Sequence, residues 1–170
     1  MLIRRESPDD VPAIRAVTAA AFARPGEGEP FEVRLVEALR AHESWLPPLS
    51  RVAVDDAGEV VGHVLATRCT VDGAPVLGLG PLSVRPDRQR AGIGSALVHS
   101  LLGAADALDE PLVGLLGDPA YYRRFGFVPA GRHGIIPQVP EWAPYFQVVA
   151  FTADPPRGTF RYPEPFFAEG

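Results

Sequence analysis

A single cysteine, Cys69, excludes an internal disulfide. Its strand-like setting, Ala66-Thr67-Arg68-Cys69-Thr70-Val71, has no adjacent histidine or helix start to activate a thiol, so it reads as an inert, partly buried side chain. Long apolar runs are missing as well. No stretch approaches the ~20 apolar residues of a membrane-spanning helix, and Met1-Leu2-Ile3-Arg4-Arg5-Glu6 holds no apolar run of signal-peptide length. A cytoplasmic protein without a membrane partner is expected. Excess positive charge is also lacking. Sixteen cationic side chains against 21 acidic ones give a formal charge of −5. Such a surface does not attract nucleic acid as a whole, and it suits a cationic substrate. There is no internal repeat and no low-complexity linker, and no metal is expected. What remains is a chain of 170 residues, 46% apolar and 22% charged, enough for one domain with a real core and too short for two ordinary ones.

Along the chain, Leu2–Arg5 reads as a short strand. Ser7-Pro8-Asp9-Asp10 supplies an N-cap, a proline at the first helical position and acids in the first turn. Val11, Ile14, Val17, Ala21 and Phe22 follow at helical spacing. The run from Arg24 to Pro30 breaks that helix, and a second one is predicted from Phe31 to about Ala41. Strands at Arg51–Val54 and Val60–Arg68 flank the turn Asp55-Asp56-Ala57-Gly58. Asp72-Gly73-Ala74-Pro75 makes the next turn, and Val76–Val84 is a third long strand. A helix then runs to about Leu108, with Ile93, Leu97, Leu101, Ala105 and Leu108 on one face. Leu112–Leu116 is wholly apolar, as in a strand buried on both faces. Asp118-Pro119 opens a short helix that Gly126 ends, Phe127-Val128 opens a strand, and Phe146–Thr152 is strand-like within a proline-rich remainder read as ordered loops. The fold class is α/β (α+β): about seven strands in a mixed, mostly antiparallel central sheet, with helices on both faces.

The chemistry concentrates in Arg88-Gln89-Arg90-Ala91-Gly92-Ile93-Gly94-Ser95-Ala96, between a strand and a helix. Gly92 and Gly94 let backbone N–H groups approach a ligand. The helix start adds unpaired donors and partial positive charge. Arg88 and Arg90 can bond phosphate, and Ser95 offers a hydroxyl. The set suits a pyrophosphate. A P-loop would need Gly-Lys-Ser/Thr, which is absent. A dinucleotide fingerprint would need a third glycine or alanine where Leu97 stands, and an acid at the end of the next strand. The plain alternative is that both glycines only pack the helix on the sheet.

The segment Leu82-Ser83-Val84-Arg85-Pro86-Asp87 through Leu97 resembles the acyl-CoA-binding motif of the GNAT superfamily of N-acetyltransferases, Arg/Gln-x-x-Gly-x-Gly/Ala after a strand. Tyr122-Arg123-Arg124-Phe125-Gly126-Phe127 is similar to that family's Tyr-x-x-x-Gly-Phe element. Leu116-Gly117-Asp118-Pro119-Ala120-Tyr121-Tyr122 looks like a bacterial subgroup of predicted N-acetyltransferases. The resemblance covers about Leu2 to Thr152. It implies a single acyltransferase domain over 1–170, with a motif-bearing core at 2–152 and a proline-rich tail at 153–170. It further implies acetyl-CoA as cosubstrate and direct attack by a primary amine, with no acyl-enzyme. The cofactor-binding set is then Leu82, Ser83, Val84 and the loop from Arg88 to Ala96, with backbone groups near Leu82 and Val84 along the pantetheine arm.

Tyr122 is the candidate general acid, since a phenol can return a proton to the departing thiolate. The alternative is an aromatic that packs on the core. Tyr121 is read as packing or lining the acceptor site. Many relatives carry a glutamate on the strand before the cradle, whereas Leu77-Gly78-Leu79-Gly80-Pro81-Leu82-Ser83 holds no acid. A water relay, an amine that arrives neutral, or a base from elsewhere must serve. Glu27, Glu29, His63 and Asp118 are the acceptor-side candidates. For each a plain role competes: solvated loop acids, a hydrogen-bonded strand histidine and a helix cap. His133 sits in a loop that can border the acceptor site. Trp142, Tyr145, Phe146, Phe160, Tyr162, Phe166 and Phe167 read as packing of the tail, with an acceptor roof or a dimer surface as alternatives. The acceptor is a small-molecule or peptide amine, and a homodimer is left open. The rival reading is a non-catalytic acyl-CoA-binding or regulatory module on the same fold, and a third is a partner-binding protein without CoA.

Overall fold

The computed structural model describes residues 1–168, so residues 169 and 170 of the proline-rich tail lie outside the described part. The elements run β1 (Leu2–Arg5), α1 (Val11–Phe22), α2 (Phe31–Arg40), β2 (Trp45–Val54), β3 (Val60–Val71), β4 (Ala74–Val84), α3 (Ile93–Ala107), β5 (Leu112–Leu116), α4 (Pro119–Tyr122), β6 (Val128–Pro129), β7 (Ile135–Pro137), β8 (Phe146–Ala150) and β9 (Gly158–Arg161). The sheet order is β1-β2-β3-β4-β5-β8-β6, with β9 beside β3 and β7. Among the described residues, only β4–β5 and β7–β9 pair in parallel. The β4-α3-β5 crossover is what turns an antiparallel meander into a mixed sheet.

Local sequence explains most boundaries. Ser7 and Pro8 start a single 3₁₀ turn, Pro8–Asp10, and α1 follows one turn later than the capping pattern predicts. Asp10 closes that turn: its carboxylate accepts from Ser7 N at 2.7 Å and from both Arg4 guanidinium nitrogens, at 2.6 and 3.0 Å. In α3, Ile93, Leu97, Leu101 and Ala105 are buried, while Leu108 falls past the helix end and is exposed. β2 begins at Trp45 rather than Arg51, although Pro47 and Pro48 lie inside it. Prolines are tolerated there because Arg5 already pairs with Arg51, so β1 ends before them, and the β2–β3 register shifts between Trp45 and Ser50.

The part of the chain after Pro129 departs most from the sequence expectation. It contributes β7 and β9 beyond the expected strands, and β9 closes the tail back on the far end of β3 through Thr70–Arg161 and Val71–Phe160. Phe160 and Phe146 join Cys69, Val76 and Leu112 in one buried cluster. Where β4 and β5 meet, the paired residues are Gly78 and Gly114. A β-carbon on Gly114 would stand 2.5 Å from the Phe160 ring, and one on Gly78 would stand 2.9 Å from Tyr162. The absent side chains let the tail's aromatic rings lie against the sheet. Cys69, fully buried in the same cluster, has its thiol pushed far above its ordinary range by burial, which leaves it without thiolate chemistry.

His63 lies in the centre of β3 with no exposure. Ser50 Oγ donates to Glu6 at 2.9 Å and lies 2.8 Å from His63 Nε2. Having given its one proton to the carboxylate, Ser50 must accept from the ring, so Nε2 carries the hydrogen. Nδ1 has no partner among the described residues. Burial, aided by Arg40, pushes the imidazole down to about 3. The unfolded chain therefore takes up this proton near pH 6.5 and the folded one near pH 3. Between those values the unfolded state binds more protons, so stability rises with pH and is lost as pH falls. Asp10, lowered to about 2 chiefly by its hydrogen bond with Arg4, acts in the same direction further down. Denaturant melts should lose stability from pH 6.5 downward, on the order of 5 kcal/mol at most from His63. His63→Gln should flatten the upper part of that slope; an unchanged slope would mean that the buried ring is not its cause.

Candidate active site

β4 and β5 run side by side only at Leu77–Val113 and Gly78–Gly114. Beyond that point β5 stays paired with β8, while β4 has no ladder partner on its β5 side among the described residues. β4 also carries one extra residue against β3, between Leu79 and Leu82, where Ala66 and Val64 are its partners. A bulge bends a strand and frees backbone groups from the ladder. The two parallel strands therefore part at Gly80-Pro81, and a cleft opens between their C-terminal ends, the usual position for a ligand in an α/β sheet.

α3 starts at the mouth of that cleft. Gly92, its N-cap, has φ +85°, and no side chain caps the helix. The first N–H groups of α3 are therefore left to an external acceptor. Arg90 is also left-handed, at φ +63°. The cleft holds about 560 Å³ and is lined by Phe22, Leu82, Val84, Gln89, Arg90, Gly92, Gly94, Ser95, Tyr121 and Arg124. Leu82 and Val84 face it together because they alternate with Ser83 along the strand. Gly94 packs close to Tyr121: a β-carbon there would stand 3.1 Å from the phenol oxygen.

Not every residue expected in the cradle faces the cleft. Arg88 is tied to Asp55 at 2.8 Å and lines a separate hollow behind the loop, with Ile93. Ser83 is buried on the opposite side, paired with His63 across β3. Ala91 and Ala96 are not among the residues lining the cleft. Arg124 stands instead on the cleft wall. Its guanidinium lies 4.5 Å over the Tyr121 ring, and its Nε donates to the Tyr121 carbonyl at 2.9 Å. The sequence signal for Arg124 is its place one helical turn after Tyr121.

The two tyrosines of α4 point to different spaces. Tyr121 lines the cleft. Tyr122 lines a second cavity of about 350 Å³, which shares Phe22 and Leu82 with the first. The rings meet edge to face at 4.9 Å. Tyr122 packs on Phe127 and against Gly117. Burial, with a smaller effect from Tyr121, pushes its phenol up to about 12. Trp142, Tyr162 and Phe166 of the tail form one wall of the second cavity, and Phe31, Glu32 and Leu35 of α2 another.

The acceptor-side candidates lie elsewhere. Glu29 and Glu37 both pair with Arg15, and Glu27 pairs with Arg24. Asp118 caps α4, accepting from Ala120 N at 2.9 Å. His63 is held behind the sheet. Glu32, which the sequence reading did not single out, is the one acid lining either the cleft or the second cavity among the described residues.

This arrangement matches a known family. The model of the Acetyltransferase (GNAT) domain matches residues 48–129. The chain is also 35% identical over 150 residues to YhbS of Escherichia coli K12, an uncharacterized N-acetyltransferase, covering 87% of this chain and 86% of that protein. The protein belongs to the GNAT family of acetyltransferases. The crystal structure of Escherichia coli YhbS in complex with CoA superposes with a TM-score of 0.89 at 33% identity, covering 99% of this chain and 93% of the other. A GNAT family acetyltransferase from Brucella melitensis, in complex with acetyl-CoA, gives 0.81 at 38% identity over 97% of both chains.

Proposed function

We propose that this acetyltransferase holds acetyl-CoA in the β4–β5 cleft, with the pyrophosphate on the open start of α3, and passes the acetyl group directly to a primary amine. The observation that carries the reading is the uncapped helix N-terminus, flanked by Arg90 and Arg124, at the mouth of a gap between parted parallel strands. Anion binding there uses the N–H groups that the helix itself cannot satisfy. The free edge of β4 at Leu82–Val84 offers backbone groups to the pantetheine arm. That two relatives were solved in complex with CoA and with acetyl-CoA supports acetyl-CoA as the cosubstrate.

The thioester carbonyl would then lie near the bulge at Gly80–Leu82, where the cleft meets the second cavity. A neutral amine attacks the carbonyl carbon. The C–N bond forms, the C–S bond breaks, and the proton shed by the amine nitrogen passes through water to the phenolate left when Tyr122 protonates the thiolate. Tyr122, on the wall of the second cavity, is the residue that protonates the leaving thiolate. With no acid on β4, the proton that turns the ammonium into an amine is given to water in the open cleft. The reaction is read as cytoplasmic on the sequence alone.

The test uses the protein with acetyl-CoA and a panel of amines, following free thiol. CoA at 100 times its dissociation constant should stabilise the fold by ~2.7 kcal/mol, and thiol should appear only when an amine is added. Stabilisation with no thiol from any amine would favour a CoA-binding module. No stabilisation at all would remove the cleft assignment.

A further inference from the structure

Building on the transferase reading, we propose that the 350 Å³ cavity beside Tyr122 is the acceptor site. Its substrate would be a small primary amine on an apolar, preferably aromatic body, which Glu32 recruits as the ammonium and which loses its proton before it attacks. The cavity adjoins the donor cleft: Phe22 and Leu82 belong to both. An amine seated here faces the point where β4 bulges and the thioester is expected. Its volume lies near the small end of ligand pockets, roughly 300–1,000 Å³.

The chemistry of the walls selects the body of the substrate. Leu35, Leu116, Trp142 and Phe166 present carbon, so an acceptor studded with hydroxyls or several ammonium groups would lose hydration without replacement partners. The same walls supply one carboxylate. Glu32 has no ion pair or hydrogen bond to its side chain among the described residues, whereas Glu29 and Glu37 on either side of it share Arg15. Its position in the first turn of α2 also favours an acid through the helix dipole, so stability and substrate binding must be read separately. One carboxylate among apolar walls is complementary to one ammonium on an apolar body. It is not complementary to a polyamine or an aminoglycoside.

The experiment compares phenethylamine and tryptamine with ethanolamine and spermidine, at saturating acetyl-CoA, by thiol release. The expected kcat/KM is at least ~10-fold higher for the aromatic amines. E32Q should raise their KM by ~10-fold or more, the scale of a lost charge-assisted hydrogen bond, with the thermal shift by CoA unchanged. A preference for the hydrophilic amines, or an unchanged KM in E32Q, overturns the acceptor assignment while thiol release leaves the transferase reading standing. Absence of any CoA-induced shift would instead remove that reading, and the acceptor assignment with it. Should CoA bind and no amine release thiol, calorimetry of phenethylamine into the CoA-loaded protein decides. Stoichiometric heat that E32Q loses supports the site, and no heat overturns it.

Discussion

Replacing Gly94 with tryptophan abolishes CoA binding on this reading, the largest effect expected of any single substitution here. Even a β-carbon at position 94 would crowd the Tyr121 phenol at 3.1 Å, with Val84 and Leu82 next nearest at 3.7 and 4.0 Å. An indole has nowhere to go but into the cleft, across the first N–H groups of α3. A pyrophosphate held by backbone amides cannot be held at a distance, because hydrogen bonds weaken steeply beyond about 3.2 Å. The fold should survive, since the added ring points away from the core and Gly94 is an ordinary αR helix position. Calorimetry and thermal shift should therefore show a folded protein whose melting temperature no longer responds to CoA. Wild-type affinity in the G94W variant would refute the cleft as the pyrophosphate site.

Second in size is Tyr122→Phe. Loss of the hydroxyl should lower kcat on the order of 10²-fold, within the range of general acid catalysis, with CoA affinity unchanged. The buried phenol, pushed up to about 12, stays protonated throughout the working range, as an acid must. The alkaline limb of the wild-type rate should therefore lack a fall near the ordinary phenol value of ~10. Tyr121→Phe separates the two tyrosines: because Tyr121 lines the donor cleft, loss of its hydroxyl should raise KM for acetyl-CoA more than it lowers kcat. Equal turnover in Y122F would remove Tyr122 from the chemistry.

The parts of this site that could be read in the sequence are those made by neighbouring residues. Gly92 and Gly94 at a strand-to-helix junction define a turn and a helix start within a few positions, and the structure places both on the cleft. Leu82 and Val84 follow from strand alternation. The parts that could not be read depend on distant partners. Arg88 reads as a phosphate ligand, and its ion pair with Asp55, 33 positions away, is not visible in the local sequence. His63 looks available until Ser50 and Glu6 enclose it. β7 and β9 are too short and too proline-flanked to show a period, and their pairing is set by contacts with β3 and each other. Glu32 reads as one more acid on an amphipathic helix; only the arrival of the tail opposite makes it part of a wall.

The stretch matched by the family model ends at residue 129. Everything on the donor side from Leu82 to Arg124 falls inside it. Phe31, Glu32 and Leu35 fall before it, and Trp142, Tyr162 and Phe166 after it. On the proposed acceptor site, substrate choice falls to two flanking stretches, one on α2 and one that β9 fastens to β3. On that proposal, a chimaera that trades those flanks between two such enzymes should inherit its amine from one parent and its thioester handling from the other.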